Sequence, residues 1–281
     1  MLVVEDIASV RAARYDNLSQ HWGLVPTMGY LHEGHMSLVR RARRENDFVA
    51  VSIFVNPAQF NNPGDLDKYP RNEERDLAML REAGVDLVWA PQPSTVYPTG
   101  FATYVNVEGI TEQLEGASRP GHFRGVTTVV SKLFNVFAPQ RAYFGQKDAQ
   151  QAATVRRMVE DLNFDLELVV CETVRASDGL ALSSRNARLT DTERTVAPEV
   201  YRALQHMQSS FAAGERSASS LRETFKSHID QFPSLELDYI SVSDLDSLSE
   251  LDTVEGGALL CAAVFLGEVR LIDNVTVPAE Q

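Results

Sequence analysis

The run Ala50-Val51-Ser52-Ile53-Phe54-Val55 narrows the fold more than any other stretch, because it is too continuously apolar to be a strand with one face in water. Such a strand sits inside a sheet covered on both faces, and in parallel sheets helices do the covering. The flanking sequence has the matching rhythm. Short β-branched runs predict strands at Gly23-Leu24-Val25, Val85 to Trp89, Tyr104 to Val107, Arg141 to Phe144 and Leu166 to Val170. Between them lie helical periods, from Gly34 to about Glu45 and along Val126, Val129, Val130, Leu133, Phe134 and Phe137. The expectation is an α/β fold: an open, mostly parallel sheet with helices on both faces. Ligands of such sheets bind beyond the carboxyl ends of the strands, which directs attention to the turn after Val25 and the segment after Val55.

At 281 residues the chain exceeds the usual size of one domain, and its style changes at the polar turn Arg175-Ala176-Ser177-Asp178-Gly179. Residues 1–175 are therefore read as a Rossmann-like domain and residues 176–281 as a smaller C-terminal α+β domain. In the latter, Thr190 and Glu193 form the capping box of a helix whose apolar face is Val196, Val200, Leu204, Met207 and Phe211. A second helix follows with Leu221, Phe225, Ile229 and Phe232 on one stripe, then strands over Leu235 to Val242, Ala258 to Leu266 and Val269 to Val277. No run approaches the roughly 18 apolar residues of a membrane span. The acids of Met1-Leu2-Val3-Val4-Glu5-Asp6 and the presence of only two cysteines, Cys171 and Cys261, favour a soluble protein of the reducing cytoplasm. A net charge of −13 argues against a general nucleic-acid surface and leaves room for a small anion in a local basic pocket.

Pro26-Thr27-Met28-Gly29-Tyr30-Leu31-His32-Glu33-Gly34-His35 leaves the first strand and opens a helix. His32 and His35, three positions apart, share a helix face beside N–H groups that lack intrahelical partners, an arrangement that attracts anions. Gly29 and Gly34 let a nucleotide approach the main chain, and an imidazole can donate to a phosphate oxygen. Taken in isolation, His-x-x-His is an ordinary helix start with surface histidines. The preceding strand and the glycines argue for phosphate.

Four later stretches carry candidate ligand groups. Asn56-Pro57-Ala58-Gln59 places an amide pair after the buried strand, with Pro57 fixing the local dihedral and aiming Gln59; a plain turn is the alternative. Leu114 to Gly125 brings Arg119, His122 and Arg124 to the start of an apolar helix, either as a pocket wall or as a simple N-cap. Phe144-Gly145-Gln146-Lys147-Asp148-Ala149-Gln150-Gln151 repeats the strand-glycine-helix pattern. There Lys147 suits phosphate, Asp148 ribose hydroxyls and Gln151 a substrate carboxylate, against the alternative of a solvated first turn. Asp178 to Asn186 offers the hydroxyls of Ser183 and Ser184 and the guanidinium of Arg185 at the domain boundary. The run Arg40, Arg41, Arg43 and Arg44 reads as a solvated helix face, and Cys171 as a buried thiol rather than a nucleophile.

His32-Glu33-Gly34-His35 resembles the His-x-Gly-His signature of the nucleotidyltransferase superfamily, and the longer block Pro26 to His35 resembles its pantoate–β-alanine ligase branch. The resemblance continues through Ser52 to Phe60, Asp65 to Arg71, Leu114 to Gly125, Phe144 to Gln151 and Asp178 to Asn186, and resumes at Leu266-Gly267 and Arg270-Leu271-Ile272-Asp273-Asn274. It implies condensation of pantoate with β-alanine to pantothenate through pantoyl adenylate, with ATP giving AMP and pyrophosphate. It assigns ATP to Met28, Gly29, Tyr30, Leu31, His32, Glu33, Gly34, His35, Gly145, Gln146, Lys147, Asp148, Val174, Leu182, Ser183, Ser184 and Arg185, and pantoate or β-alanine to Gln59 and Gln151. His35 would be proton donor and charge stabiliser. The Ser-Ser-Arg stretch takes the place of the superfamily's Lys-Met-Ser-Lys-Ser loop, which closes over the triphosphate, and relatives commonly carry glutamate at Gln146. Also implied are Mg²⁺ carried in with ATP, no tightly bound organic cofactor, a lid role for the C-terminal domain and a homodimer. The metal ligands stay unassigned, Asp76 beside Arg75 being offered only as an outer contact. Two other classes stay open: a transferase of AMP to a phosphorylated cofactor, which calls for a basic acceptor pocket in place of Gln59 and Gln151, and a nucleotide-binding module without catalysis.

Overall fold

The computed structural model describes residues 1–61 and 63–279, which divide into two units. The first comprises Met1–Gly145 and Gln151–Glu172, the second Gln146–Gln150 and Thr173–Gln281. The main division thus falls just ahead of the polar turn at Arg175, and the short segment after Gly145 goes with the second unit, an excursion that composition does not signal.

The first unit holds strands β1 (Leu2–Val4), β2 (Trp22–Thr27), β3 (Phe48–Ile53), β4 (Leu87–Trp89), β5 (Arg141–Gly145) and β6 (Glu167–Cys171). All are parallel, in the order β1-β4-β3-β2-β5-β6. The helices that accompany them are α1 (Ile7–Asp16), α2 (Glu33–Glu45), α3 (Pro63–Asp67), α4 (Glu73–Glu82), α5 (Pro93–Val96), α6 (Glu115–Ser118), α7 (His122–Phe137) and α8 (Ala149–Asp161). Successive strand residues point to opposite faces and so enter different cores. Leu24, Ala50, Leu87, Trp89, Ala142 and Phe144 pack with Val10 of α1, Leu133 and Phe137 of α7 and Val155 and Met158 of α8. Val25, Val49, Val51, Val88 and Tyr143 pack with Val39 and Ala42 of α2 and Leu80 of α4. Coverage on both faces explains why β3 shows no polar alternation. The chain runs from β2 outward through β3 to β4 on one side and from β5 to β6 on the other. The carboxyl ends of β2 and β5 are therefore a topological switch point, where ligands of such sheets bind.

Three expectations are corrected. Tyr104 to Val107 forms no strand, because Thr127 and Thr128 of α7 take the Val105 backbone: the Thr128 hydroxyl accepts from its N–H at 3.0 Å and the Thr127 hydroxyl donates to its C=O at 2.7 Å. Arg43 is not simply solvated; it is half-buried and donates to Asp86 at 2.6 Å and to the Asn46 carbonyl at 2.7 Å. The helix expected along Val196 to Phe211 is split at Ala197-Pro198, since Pro198 has no N–H to continue the first segment.

The second unit therefore holds α9 (Asp191–Val196), with the Thr190–Glu193 capping box in place, α10 (Glu199–Ala212) and α11 (Ala218–Ile229). Its sheet is antiparallel, β7 (Leu235–Ser243), β8 (Ala258–Leu266) and β9 (Val269–Val277) in that order. Val200, Leu204 and Met207 of α10 and Leu221, Phe225 and Ile229 of α11 close its core against Leu260, Ala262 and Val264 of β8.

Candidate active site

Beyond the end of β2 the chain turns through Gly29 (φ +79°) and Tyr30 (φ +50°), both left-handed. Gly29 takes this conformation without strain, and a Cβ there would lie only 3.1 Å from Asp76 Oδ2. Tyr30 is held in it by Asp76, whose two oxygens accept from Tyr30 N at 2.7 Å and Leu31 N at 2.8 Å. Asp76 is buried, and burial pushes its carboxyl above the usual carboxylate range while the two main-chain donors and Arg75 oppose the rise. With an oxygen on each N–H, Asp76 anchors the turn.

His32 is the N-cap of α2 and His35 its third residue. Nδ1 of His32 accepts from Gly34 N at 3.2 Å, and Nδ1 of His35 accepts from His32 N at 3.3 Å, a capping box made of imidazoles. The rings lie 4.0 Å apart, tilted by 32°. A main-chain N–H only donates, so each Nδ1 is the lone-pair nitrogen and each neutral ring carries its proton on Nε2. Two of the main-chain donors expected to meet an anion are thus spent on the imidazoles.

Beyond β3, Asn56 caps the 3-10 turn Pro57–Gln59, on which Gln59 is buried. The Gln59 carbonyl accepts from His122 Nδ1 at 2.8 Å and from Arg119 Nη2 at 3.3 Å, while Arg119 Nη1 donates to His122 Nε2 at 3.1 Å. Because a carbonyl only accepts, His122 carries its proton on Nδ1, the opposite tautomer from His32 and His35. Arg119 and His122, whose roles the sequence left open, are braces beneath Gln59. Gly125 permits the close approach of α7, since a Cβ there would sit 2.7 Å from Gln59 N. Met28 joins the group, its Sδ accepting from Gln59 Nε2 at 3.3 Å. Gly145 closes β5, and Gln151, half-buried on α8, makes no side-chain hydrogen bond among the described residues.

The remaining candidates, Gln146, Lys147, Asp148, Val174, Leu182, Ser183, Ser184 and Arg185, belong to the second unit. Gln146–Asp148 is a 3-10 turn held by Asn274 of β9, whose Nδ2 donates to the carbonyls of Gln146 at 2.9 Å and Lys147 at 3.0 Å. Asn274 Oδ1 accepts from Gln146 Nε2 at 3.1 Å, a bond that a glutamate at this position would lack. Lys147 Nζ is 3.7 Å from Asp148 Oδ1. The neighbouring Asp273 takes both ends of the Arg175 guanidinium, at 2.5 and 2.9 Å, and Arg175 stacks 3.6 Å above the Tyr201 ring. A small hairpin follows, Leu182 N donating to Val174 O at 3.0 Å. It leads into the 3-10 turn Ser184–Arg188, capped by Ser183 Oγ accepting from Arg185 N at 3.3 Å; Ser184 is buried.

Sequence reasoning did not assign Arg175, Asp273 or Asn274 a place beside these groups. The one signal was the block Leu271-Ile272-Asp273-Asn274, which matched without an explanation. Cys171 is buried, and burial pushes its thiol up. Among the described residues no three His, Cys, Asp or Glu are grouped to hold a metal ion, and no helix is long and apolar enough to cross a membrane.

The model of the family described as pantoate-beta-alanine ligase matches residues 2–276. Pantothenate synthetase of Roseiflexus sp. (strain RS-1) is 56% identical over 279 residues, covering 99% of this chain and 100% of the relative. That of Moorella thermoacetica is 54% identical over 279 residues, covering 98% of each. Among solved structures, pantothenate synthetase from Thermus thermophilus matches with a TM-score of 0.93 at 49% identity, over 98% of this chain and 99% of that one. The pantoate-beta-alanine ligase from Francisella tularensis, complexed with beta-gamma ATP and beta-alanine, matches with a TM-score of 0.81 at 36% identity, over 98% and 97%.

Proposed function

The chain belongs to the pantoate-beta-alanine ligase family, whose reaction is the ATP-dependent condensation of pantoate with β-alanine, and we propose that it runs this reaction through pantoyl adenylate formed beside His35. In the first half, a pantoate carboxylate oxygen attacks the α-phosphorus of ATP and the bond to the bridging oxygen breaks, releasing pyrophosphate. In the second, the neutral amine of β-alanine attacks the acyl carbon, AMP leaves and the amine gives up a proton.

The observation that carries the reading is the fixed tautomer of His32 and His35, which makes both Nε2–H groups donors at the first turn of α2. Donors preset toward developing negative charge are commonly the largest catalytic contribution, about 3 to 4 kcal/mol for one in a favourable site. His35 is the principal donor. Met28 to Gly34 and Gly145 of the first unit, and Gln146, Lys147, Asp148, Val174, Leu182, Ser183, Ser184 and Arg185 of the second, supply contacts to ATP; Gln59 and Gln151 hold pantoate or β-alanine. The second half is mainly a proximity effect, a bound amine held against a trapped anhydride.

Mg²⁺ is read as entering on the phosphates of ATP. Among the described residues no three His, Cys, Asp or Glu are grouped to cage it, and no step is assigned to it. The resemblance further supports a homodimer, checked by sedimentation, and a cytoplasmic location, checked by fractionation.

Pantoate-dependent exchange of labelled pyrophosphate into ATP tests the intermediate. Exchange is expected with pantoate alone, without β-alanine. Exchange that needs β-alanine present would replace the adenylate with a concerted route.

A further inference from the structure

The polarity of the Gln59 carboxamide follows from the main chain around it. Ala58 N–H donates to one end of the Asn56 carboxamide at 3.3 Å, and Gly125 C=O accepts from the other at 3.1 Å. An N–H does not accept and a C=O does not donate, so Oδ1 faces Ala58 and Nδ2 faces Gly125. The ordinary ambiguity between the two ends of an amide is thereby removed. Nδ2 also donates to Gln59 at 3.0 Å, and Gln59 must meet it with Oε1.

Gln59 is left with Nε2 to offer. Among the described residues its acceptor is the Met28 thioether at 3.3 Å, a weak one, although Gln59 is only 8% exposed. A buried amide nitrogen served so poorly is short of a hydrogen bond until a ligand oxygen provides it. At the other end of the relay, Tyr97 donates its hydroxyl to Asn56 Oδ1 at 2.7 Å, its ring set between Phe54 and Phe101 with centroids 6.3 and 5.1 Å away.

We propose that Tyr97 is a positioning residue for pantoate: its hydroxyl reinforces the Asn56 orientation that Ala58 N–H and Gly125 C=O set, and so helps hold Gln59 with an N–H toward the substrate, so that this point of the site selects a hydrogen-bond acceptor such as a carboxylate oxygen over a donor. The inference rests on the reading of Gln59 as a pantoate ligand and adds to it a direction and a cause. Burial pushes the Tyr97 hydroxyl up to about 12, with Tyr104 adding to the rise. Tyr97 thus remains a protonated donor throughout the neutral range.

Steady-state kinetics on three variants test this. Tyr97→Phe keeps the ring and removes the hydroxyl; KM for pantoate should rise about fivefold, the effect of one neutral hydrogen bond, with KM for ATP and for β-alanine unchanged. Asn56→Asp places an oxygen toward Gln59, which turns its carboxamide and shows Oε1 to the substrate. KM for pantoate should then rise roughly 100-fold, while pantoamide, which can donate, gains as a competitive inhibitor relative to pantoate. Gln59→Ala separates the two levels of inference. An unchanged KM for pantoate in Gln59→Ala would remove Gln59 as a pantoate ligand altogether. A raised KM there, combined with Tyr97→Phe that leaves pantoate unaffected or weakens ATP and pantoate alike, would overturn the positioning role and leave Gln59 as a ligand.

Discussion

In the first unit, His32 and His35 are held by main-chain N–H groups of their own turn, within three residues of each ring. In the second, the Gln146–Lys147 turn is held by Asn274, 128 and 127 residues away, and the hairpin that leads to Ser183 by the pairing of Arg175 with Asp273. Local capture sets a side chain's tautomer. Distant capture leaves the side chain's chemistry alone and sets where its turn lies. Damage at His32 and His35 should therefore fall on the chemical step, and damage to the Asn274 and Asp273 ties on stability and nucleotide affinity.

The largest effect is expected from His35→Ala. Pantoate-dependent pyrophosphate exchange should fall roughly 100- to 1,000-fold, the cost of one preset donor, with the circular dichroism spectrum unchanged. A loss of less than about tenfold would take His35 out of the chemical step and erase the contrast between the units. Asp273→Ala comes next. It strands a largely buried guanidinium, whose side chain is 17% exposed, and should lower unfolding free energy by about 3 kcal/mol in urea titration. A change below about 1 kcal/mol would mean that the Tyr201 ring and the Gly179 and Asn274 carbonyls secure Arg175 without it. Asn274→Ala removes both carbonyl contacts to the Gln146–Lys147 turn and the amide bond to Gln146. KM for ATP should rise about tenfold with KM for pantoate unchanged. Equal rises in both would show that the turn serves more than the nucleotide.

The same contrast explains what the sequence made legible. Runs with a clear period were read well: β8 and β9 match the expected Ala258 to Leu266 and Val269 to Val277, and their alternating residues build the second core. β1 went unread because three residues at a sheet edge carry no measurable period. Tyr104 to Val107 was read as a strand because it is β-rich, but threonine hydroxyls of α7 claimed the Val105 backbone first. At the site, glycine-flanked turns after strands announced themselves, as at His32-Glu33-Gly34-His35. Their braces did not. Tyr97 reaches Asn56 across 41 residues and Asn274 reaches Gln146 across 128, and neither has a local pattern that distinguishes it from an ordinary tyrosine or asparagine. His122 shows the same limit within one motif: the sequence leaves it between pocket wall and N-cap, and only its bond to the Gln59 carbonyl reveals a strut.

The smallest expected effect tests the outermost tie of the second unit. Arg194 donates to Asp178 at 2.6 Å, at the turn of the hairpin that precedes Ser183. That bond is the chief reason the Asp178 carboxyl lies below the usual carboxylate range, with slight burial opposing it and Leu180 N–H assisting. A carboxyl lowered by folding adds stability above its unfolded pKa, and the gain is lost as pH falls through the lowered folded value. Both side chains are more than a third exposed, so screening holds the contribution below about 1 kcal/mol. Arg194→Gln should therefore lower the melting temperature slightly near pH 7, less in high salt, and not at all once the pH is below the depressed Asp178 value. A melting difference that persisted unchanged into acid would assign the tie to packing rather than charge. The hairpin would then resemble the His32–His35 turn, held by its own main chain, and the contrast drawn from Arg175 and Asn274 would stop short of Ser183.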